Sequence, residues 1–208
     1  NATSTSLRYE AVPKGEQAFL AYGVFAESDG GLSDAAISDM APVGTPYAIP
    51  YAESFANGTA SSIFGSVTDM GKADWGIFTD KSVSGVTSCD ADNGFAGMEG
   101  SAYNDRASLL TGKFDLTQAA APLFEFCVFH MKGSVANENP IEILINDGTG
   151  FNSIATIEVG QTGEANTWNP VTVMLHDYAN KVVSIKLAGK VDSYKYTFID
   201  AMRIYDKS

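Results

Sequence analysis

Basic residues are scarce in this chain. It has 13 Lys and Arg against 25 Asp and Glu in 208 residues, which gives a formal net charge of −12. Nucleic acids and anionic membranes both bind to basic protein surfaces. The composition therefore predicts no nucleic-acid partner, whereas it is compatible with calcium, which prefers oxygen ligands.

Cysteines and long apolar runs are also scarce. The two cysteines, Cys89 and Cys127, are too few for a disulfide framework or a cysteine-rich metal site. A single bridge and two free thiols both stay open. No apolar run is long enough to span a bilayer and no N-terminal signal peptide is present, so we expect no membrane insertion. The start at Asn1 suggests a piece excised from a longer protein.

Motifs for catalysis are absent. The chain has no Gly-x-Ser-x-Gly nucleophile elbow, no phosphate loop and no dinucleotide fingerprint. His130 and His176 lack metal-ligand spacing, and the i, i+3 separation of Cys127 and His130 on one strand points them to opposite faces. We interpret both histidines as structural. A glycosidase pair of carboxylates stays open, although no spacing identifies one.

Helical periodicity is almost missing, and strands take its place. Apolar residues alternate in 141–145, 171–175 and 183–187, with turn residues between these runs. Residues 122–131 are apolar on both parities, which indicates a central strand covered on both sides. Together these patterns predict an all-β fold, namely an antiparallel jelly-roll β-sandwich.

A proline-interrupted segment, 41–46, precedes the strand that begins at Tyr47. It predicts a boundary between an N-terminal segment, 1–44, and a main domain, 45–208. In the N-terminal segment, Tyr22-x-Val24-x-Ala26, a Gly-rich turn and Leu32-Ser33 resemble the last strands of a fibronectin type III module. Leu20 stands where that family has its corner tyrosine. The resemblance implies a short fibronectin III-like β segment, about half a module long.

A second resemblance covers residues 47–205. It rests on the order of several motifs, among them Ile49-Pro50-Tyr51-x-Glu53-Ser54-Phe55, Pro122-x-Phe124-x-Phe126, Asn146-Asp147-Gly148-Thr149-Gly150, Trp168-Asn169-Pro170-Val171 and Phe198-Ile199-Asp200-x-Met202. This order resembles the cleaved-adhesin/MAM-like jelly roll of bacterial surface proteins. The resemblance implies a structural calcium ion and a place in the extracellular space or on a bacterial cell surface.

Two carboxylates lie at strand positions whose alternation predicts that they point to the same face as large apolar residues. Glu53 lies in the first strand of the main domain and Asp200 in the last. A carboxylate in a core is costly unless a cation or hydrogen bonds compensate it. Because the first and last strands of a jelly roll are often neighbours, we expect the two to meet around calcium, with Asp105 as a third ligand. Alternatively, either carboxylate pairs with an arginine, Arg106 or Arg203, or accepts backbone N–H groups.

The Asp-x-Asp pair formed by Asp90 and Asp92 has the spacing of a calcium loop but lacks the closing Glu. The resembled family often has an Asp-rich loop before a tryptophan, whereas this pair follows Trp75. We therefore interpret residues 90–94 as a solvated turn.

Aromatic residues near the loop-rich stretches are the candidate ligand contacts. We expect them at the surface and assign Trp168 to packing, since large aromatic residues dominate cores. The candidates are Trp75, Phe95, Tyr103 and Tyr178.

Taken together, the sequence predicts a non-catalytic extracellular adhesion module. Its ligand would be a glycan or a surface protein, gripped by loops at one end of the sandwich, and its other partners would be further domains of a longer multidomain chain. Two alternatives stay open: a carbohydrate-active hydrolase that uses a carboxylate pair, and a structural spacer without a ligand.

Overall fold

The computed structural model describes residues 16–28, 30–80, 82–83, 85–100, 102–131, 139–158, 165–191 and 196–208. Residues 1–15 of the predicted N-terminal segment lie outside these ranges. The strands are β1 Ala18–Leu20, β2 Gly23–Val24, β3 Glu27–Ser28, β4 Gly31–Leu32, β5 Ala36–Ile37, β6 Ala41–Val43, β7 Tyr47–Ala48, β8 Tyr51–Glu53, β9 Phe64–Met70, β10 Asp74–Phe78, β11 Phe95–Glu99, β12 Asp105–Asp115, β13 Pro122–His130, β14 Ile141–Asn146, β15 Phe151–Ile157, β16 Trp168–Met174, β17 Val182–Val191 and β18 Tyr196–Asp206. Helix is limited to two 3₁₀ turns in the described ranges, Ala56–Gly58 and His176–Tyr178. None of the described helical segments has the length and apolarity needed to cross a membrane.

Two six-stranded sheets form the main domain. Sheet A has the order β10-β11-β18-β13-β16, with β8 also paired to β18. Sheet B has the order β15-β14-β17-β12-β7, with β9 also paired to β12. The β7–β12 pair is parallel and the other ladders of both sheets are antiparallel. The predicted all-β sandwich is therefore confirmed.

The main core lies between the two sheets, because each strand turns alternate side chains inward. In β14, Ile141, Ile143 and Ile145 are fully buried, while the residues between them are half-buried on the outer face. The opposite wall includes Phe124 of β13 and Ile204 of β18. Each fully buried side chain of this size contributes about 1.5–3 kcal/mol of hydrophobic free energy.

A second, smaller apolar cluster covers the outer face of sheet A. Its buried members are Val86, Phe95, Phe129 and Phe198. The Phe95 ring centroid lies 5.0 Å from that of Phe198, and Trp168 packs at the edge of the cluster. Strand β13 therefore contributes Val128 to the main core and Phe129 to the outer cluster. This arrangement confirms the prediction of a central strand covered on both sides.

The N-terminal segment forms one interrupted antiparallel hairpin. Strands β1, β2 and β3 pair in nested order with β6, β5 and β4. At its base, the Gln17 side chain donates to the Lys113 carbonyl at 2.9 Å and accepts the Lys113 backbone N–H at 2.5 Å. Further out, Leu32 and Ile37 are exposed. The hairpin is thus joined to sheet B at its base, and the fibronectin-like character of the segment stays a prediction.

Candidate functional site

The site begins with a bulge in β18. Cys127 stands opposite Asp200, and Glu125 stands opposite Arg203, so two residues of β18 face one residue of β13 between these pairs. Ala201, at the bulge, has a left-handed φ of 49°. A bulge interrupts the alternation of side chains between the two faces of a sheet.

The bulge places Asp200 on the outer face of sheet A. Before it, Phe198 belongs to the outer cluster and Ile199 to the main core. After it, Met202 and Ile204 return to the main core. Asp200 therefore shares a face with Phe198 and not with Met202, although a regular strand would place all three together.

Glu53 lies on the opposite face of the same sheet. It stands directly opposite Met202 in the β8–β18 ladder, and residues paired in this way share a face. The prediction that Glu53 and Asp200 meet around one ion is therefore wrong. The bulge is the physical cause, because it moves Asp200 to the face of β18 opposite the one that carries Met202.

The Glu53 carboxylate is satisfied by protein donors. One oxygen accepts the Phe55 backbone N–H at 2.9 Å. The other accepts the backbone N–H of Ser61 at 2.8 Å and of Ser62 at 3.1 Å, and both serine hydroxyl groups donate to it. The alternative interpretation, in which backbone amides compensate the buried charge, is the one the structure supports for Glu53.

Asp105 is also separate from Asp200. It is buried at the start of β12, where its carboxylate accepts the Ala102 backbone N–H at 3.0 Å. Among the described residues, the carboxylates that gather around Asp200 do not include Asp105 or Glu53. Of the three predicted metal ligands, only Asp200 lies in a carboxylate cluster.

The residues that join Asp200 are Asp90 and Asp92. One carboxylate oxygen from each of the three lies within 4.8 Å of the other two. Asp200 is 0% exposed and accepts the backbone N–H groups of Cys89 at 2.6 Å and Ala201 at 2.7 Å. The turn at residues 90–94 is exposed at Asp90 and half-buried at Asp92, and it folds onto the buried carboxylate of Asp200.

Several contacts fix the loop that carries Asp90 and Asp92. A disulfide joins Cys89 to Cys127, which decides between the two states that the sequence left open. The Asp92 carbonyl accepts the Asn57 backbone N–H at 3.1 Å, and the Ser88 hydroxyl accepts the Asn93 backbone N–H at 2.9 Å. The loop is therefore anchored to β13 and to the 3₁₀ turn after β8.

The electrostatics of this cluster are unfavourable without a cation. Burial raises the pKa of Asp200 to about 7, and the charges of Asp90 and Asp92 add to this effect. Burial also raises the pKa of Asp90, as does its contact with Asp92. Both carboxylate oxygens of Asp92 are buried and have no hydrogen-bond partner among the described residues. Such a group of carboxylates requires a proton or a cation.

The donor set fits a hard divalent ion. Calcium takes oxygen ligands from carboxylates and carbonyl groups, and Asp90, Asp92 and Asp200 supply carboxylate oxygens from a short loop and one strand. The buried, unpartnered oxygens of Asp92 are the observation that favours an ion over a solvated turn.

The four aromatic candidates divide into two groups. Trp75 is 5% exposed, and its indole N–H donates to the Ala107 carbonyl at 3.0 Å in the main core. Phe95 is fully buried in the outer cluster. Their predicted place at the surface is therefore wrong, because both complete apolar clusters beneath loops. Tyr178 is half-buried, whereas Tyr103 is 67% exposed, so its ring is accessible to solvent.

Comparison with known proteins rests on structure alone. No protein-family model and no curated protein matches the chain. The K1 cleaved adhesin domain of Lys-gingipain from Porphyromonas gingivalis W83 has a TM-score of 0.55 and 18% identity, over 76% of this chain and 98% of that domain. The chain has the fold of a cleaved adhesin domain.

Two further structures agree with this result. The K3 cleaved adhesin domain of Lys-gingipain from the same organism has a TM-score of 0.52 and 14% identity, over 75% of this chain and 98% of that domain. A structure of carbohydrate-binding modules from the β-sandwich superfamily has a TM-score of 0.52 and 13% identity, over 92% of this chain and 75% of that one. The resemblance to cleaved adhesins in the sequence motifs is thus confirmed as a likeness of fold.

Proposed function

We propose that this chain is a non-catalytic, extracellular glycan-binding module that a structural calcium ion stabilises. The support for a binding role is the shared fold, since the similar structures are adhesin domains and carbohydrate-binding modules. The disulfide supports an extracellular location, because disulfides persist in oxidising compartments.

The observation that carries the calcium proposal is the carboxylate cluster on the outer face of sheet A, in which Asp200 is buried, Asp92 is half-buried and Asp90 is exposed. Asp90, Asp92 and Asp200 would hold the ion. Bound calcium would supply positive charge that offsets the repulsion among these carboxylates and the cost of burying Asp200. It would also fasten the loop before β11 to β18, which keeps the outer apolar cluster covered.

This cluster does not favour the hydrolase alternative. A glycosidase needs two carboxyl groups that flank the bond to be cleaved, about 5–5.5 Å apart in retaining enzymes and about 6.5–9.5 Å apart in inverting ones. Asp200 is fully buried and bonded to two backbone N–H groups, so a glycan cannot reach it in this conformation. A structural role for the cluster agrees better with the burial of Asp200.

Glycan-array binding tests the proposed function. The protein should bind a subset of glycans in calcium, and binding should weaken in a chelator because the loop before β11 loosens. If no glycan binds in either condition, the glycan-binding proposal fails and the spacer alternative is favoured. Binding that is the same in both conditions would separate the ligand site from the metal.

A further inference from the structure

The outer face of sheet B carries a groove of about 470 Å³. We call it the basic groove and define it by its charged and hydroxyl-bearing residues. These are Asp69 of β9, Arg106 and Ser108 of β12, Glu142 of β14, Thr156 of β15, and Lys186 and Lys190 of β17. Small side chains form its floor: Ser108 stands directly opposite Ala188 in the β12–β17 ladder. It is on the other sheet from the carboxylate cluster.

Three cationic side chains lie in this groove, against two acidic ones. Arg106 and Lys190 stand directly opposite each other across β12 and β17, and Lys186 follows on the same face. Like charges placed directly opposite in a sheet destabilise it. Arg106 and Lys186 have no ion pair with a described carboxylate. An arrangement of this kind, in a chain with a net charge of −12, is suited to an anionic ligand.

The ammonium group of each lysine lies over an aromatic ring. The Lys190 ammonium group lies 5.2 Å from the centroid of the Tyr103 ring, and the Lys186 ammonium group lies 4.9 Å from that of Phe151. Tyr103 is 67% exposed, so most of its surface is accessible to a ligand. Aromatic faces can pack against sugar rings, while the cations beside them can bind a carboxylate.

The two acids of the groove narrow the class of ligand. Asp69 accepts the Ser108 hydroxyl at 2.6 Å, and Glu142 stands opposite Ala188 at the other side of the floor. A densely charged polyanion would meet repulsion from both. A sugar chain with one carboxylate per ring also offers hydroxyl groups, which can donate to these acceptors.

We propose that the basic groove binds glycans that contain uronic acid residues. Arg106 binds the carboxylate of one ring through its planar guanidinium group, and Lys186 binds that of a neighbouring ring. Tyr103 packs against a sugar face, and Asp69 and Glu142 accept sugar hydroxyl groups. This inference rests on the proposed function, because it names the glycan class that the module would recognise.

Calorimetric titration with two matched oligosaccharides tests the inference. The two sugars are the β-1,4-linked hexamer of glucuronic acid and cellohexaose. They share one backbone and differ at C6, which is a carboxylate in the first and a hydroxymethyl group in the second. In calcium buffer, the acidic hexamer should bind about tenfold more tightly or better, as one charge-assisted contact implies. Arg106→Gln and Lys186→Gln should each weaken its binding about tenfold. Lys207→Gln removes the same charge from an exposed residue beyond β18 and should leave the affinity unchanged.

Four results would overturn the inference. Equal affinities for the two hexamers, or equal losses in all three variants, would show that the groove does not recognise carboxylates. Binding of deca-glutamate that Arg106→Gln abolishes, without binding of the acidic hexamer, would assign the groove to an acidic peptide. Suppose that neutral glycans bind on the array but the acidic hexamer does not bind. The proposed function would then stand, and this groove would not be the ligand site. Near-ultraviolet circular dichroism of each variant confirms that its fold is retained.

Discussion

Cys127 and Asp200 are cross-strand partners in the ladder between β13 and β18. The cysteine bonded to Cys127, Cys89, donates its backbone N–H to the Asp200 carboxylate at 2.6 Å. One pair of positions therefore fixes both a covalent link and a buried charge, and the loop that follows Cys89 carries Asp90 and Asp92. The stability of the disulfide loop and the affinity of the cluster for a cation should consequently be coupled.

Asp92→Asn should lower the melting temperature in calcium, since it removes one ligand and one charge. At a calcium concentration 100-fold above the dissociation constant, the parent gains about 2.7 kcal/mol that the variant should largely lose. In chelator, the variant should match or exceed the parent, because it relieves repulsion among the carboxylates. Thermal unfolding in both conditions measures this difference. Asp34→Asn, on the exposed hairpin, is the matched charge control; an equal calcium-dependent loss in this control would contradict the assignment.

Replacing both cysteines by alanine should destabilise the fold by about 3–4 kcal/mol, because the bridge closes a sequence separation of 38 residues. Because Cys89 also donates its backbone N–H to Asp200, the double variant should bind calcium more weakly than the parent. Guanidinium unfolding with and without calcium measures both effects. A double variant that binds calcium as tightly as the parent would show that the disulfide does not position the cluster.

Glu53→Gln should behave differently from Asp92→Asn. It replaces a charged acceptor of backbone and hydroxyl donors with a neutral group, and one hydrogen bond to a charged group contributes about 1.5–3 kcal/mol. The loss in unfolding free energy should be the same in calcium and in chelator, since protein donors alone compensate this carboxylate. A loss confined to calcium would return Glu53 to the metal site.

His130 should make the fold sensitive to mild acid. It is 2% exposed, and burial lowers its pKa to about 4, against the opposing effect of a hydrogen bond with the Asn139 backbone. The unfolded state binds a proton more readily than the folded state between pH 6.5 and about 4, so stability is full above this window and falls as the pH drops through it. The shift corresponds to about 3 kcal/mol.

The variant His130→Gln isolates this contribution from that of Asp200. Unfolding free energies of parent and variant, measured in calcium from pH 7 to pH 4, should differ by an amount that shrinks as the pH falls. A constant difference over this range would mean that His130 does not titrate with the expected shift.

The fold class follows from local patterns in the sequence. Alternation in 141–145 and 183–187 matches strands whose inward residues are buried, and the continuous apolar run 122–131 matches a strand covered on both faces. These predictions succeed because each depends on the periodicity of a single strand. The motif order added the likeness to cleaved adhesins, which the comparison of structures confirms as a fold.

The candidate site was only partly predictable, for a physical reason. Strand parity identified Asp200 as an unusual buried carboxylate, but parity cannot reveal a bulge, and the one at Ala201 moves Asp200 to the other face. The Asp90-x-Asp92 spacing was visible, yet nothing local shows that this turn folds onto β18. Likewise, Trp75 and Phe95 adjoin loops in sequence, but tertiary packing buries them. A signal that could have linked the turn to β18 is the position of Cys89 immediately before Asp90.

Calcium titration by calorimetry, on chelator-treated protein, tests the central claim most directly. We expect one ion per chain for the parent, a loss of affinity of at least about tenfold in Asp92→Asn and Asp200→Asn, and no change in Glu53→Gln. The contrary result is an absence of calcium binding at millimolar concentration, or binding that Glu53→Gln abolishes while Asp92→Asn leaves it intact.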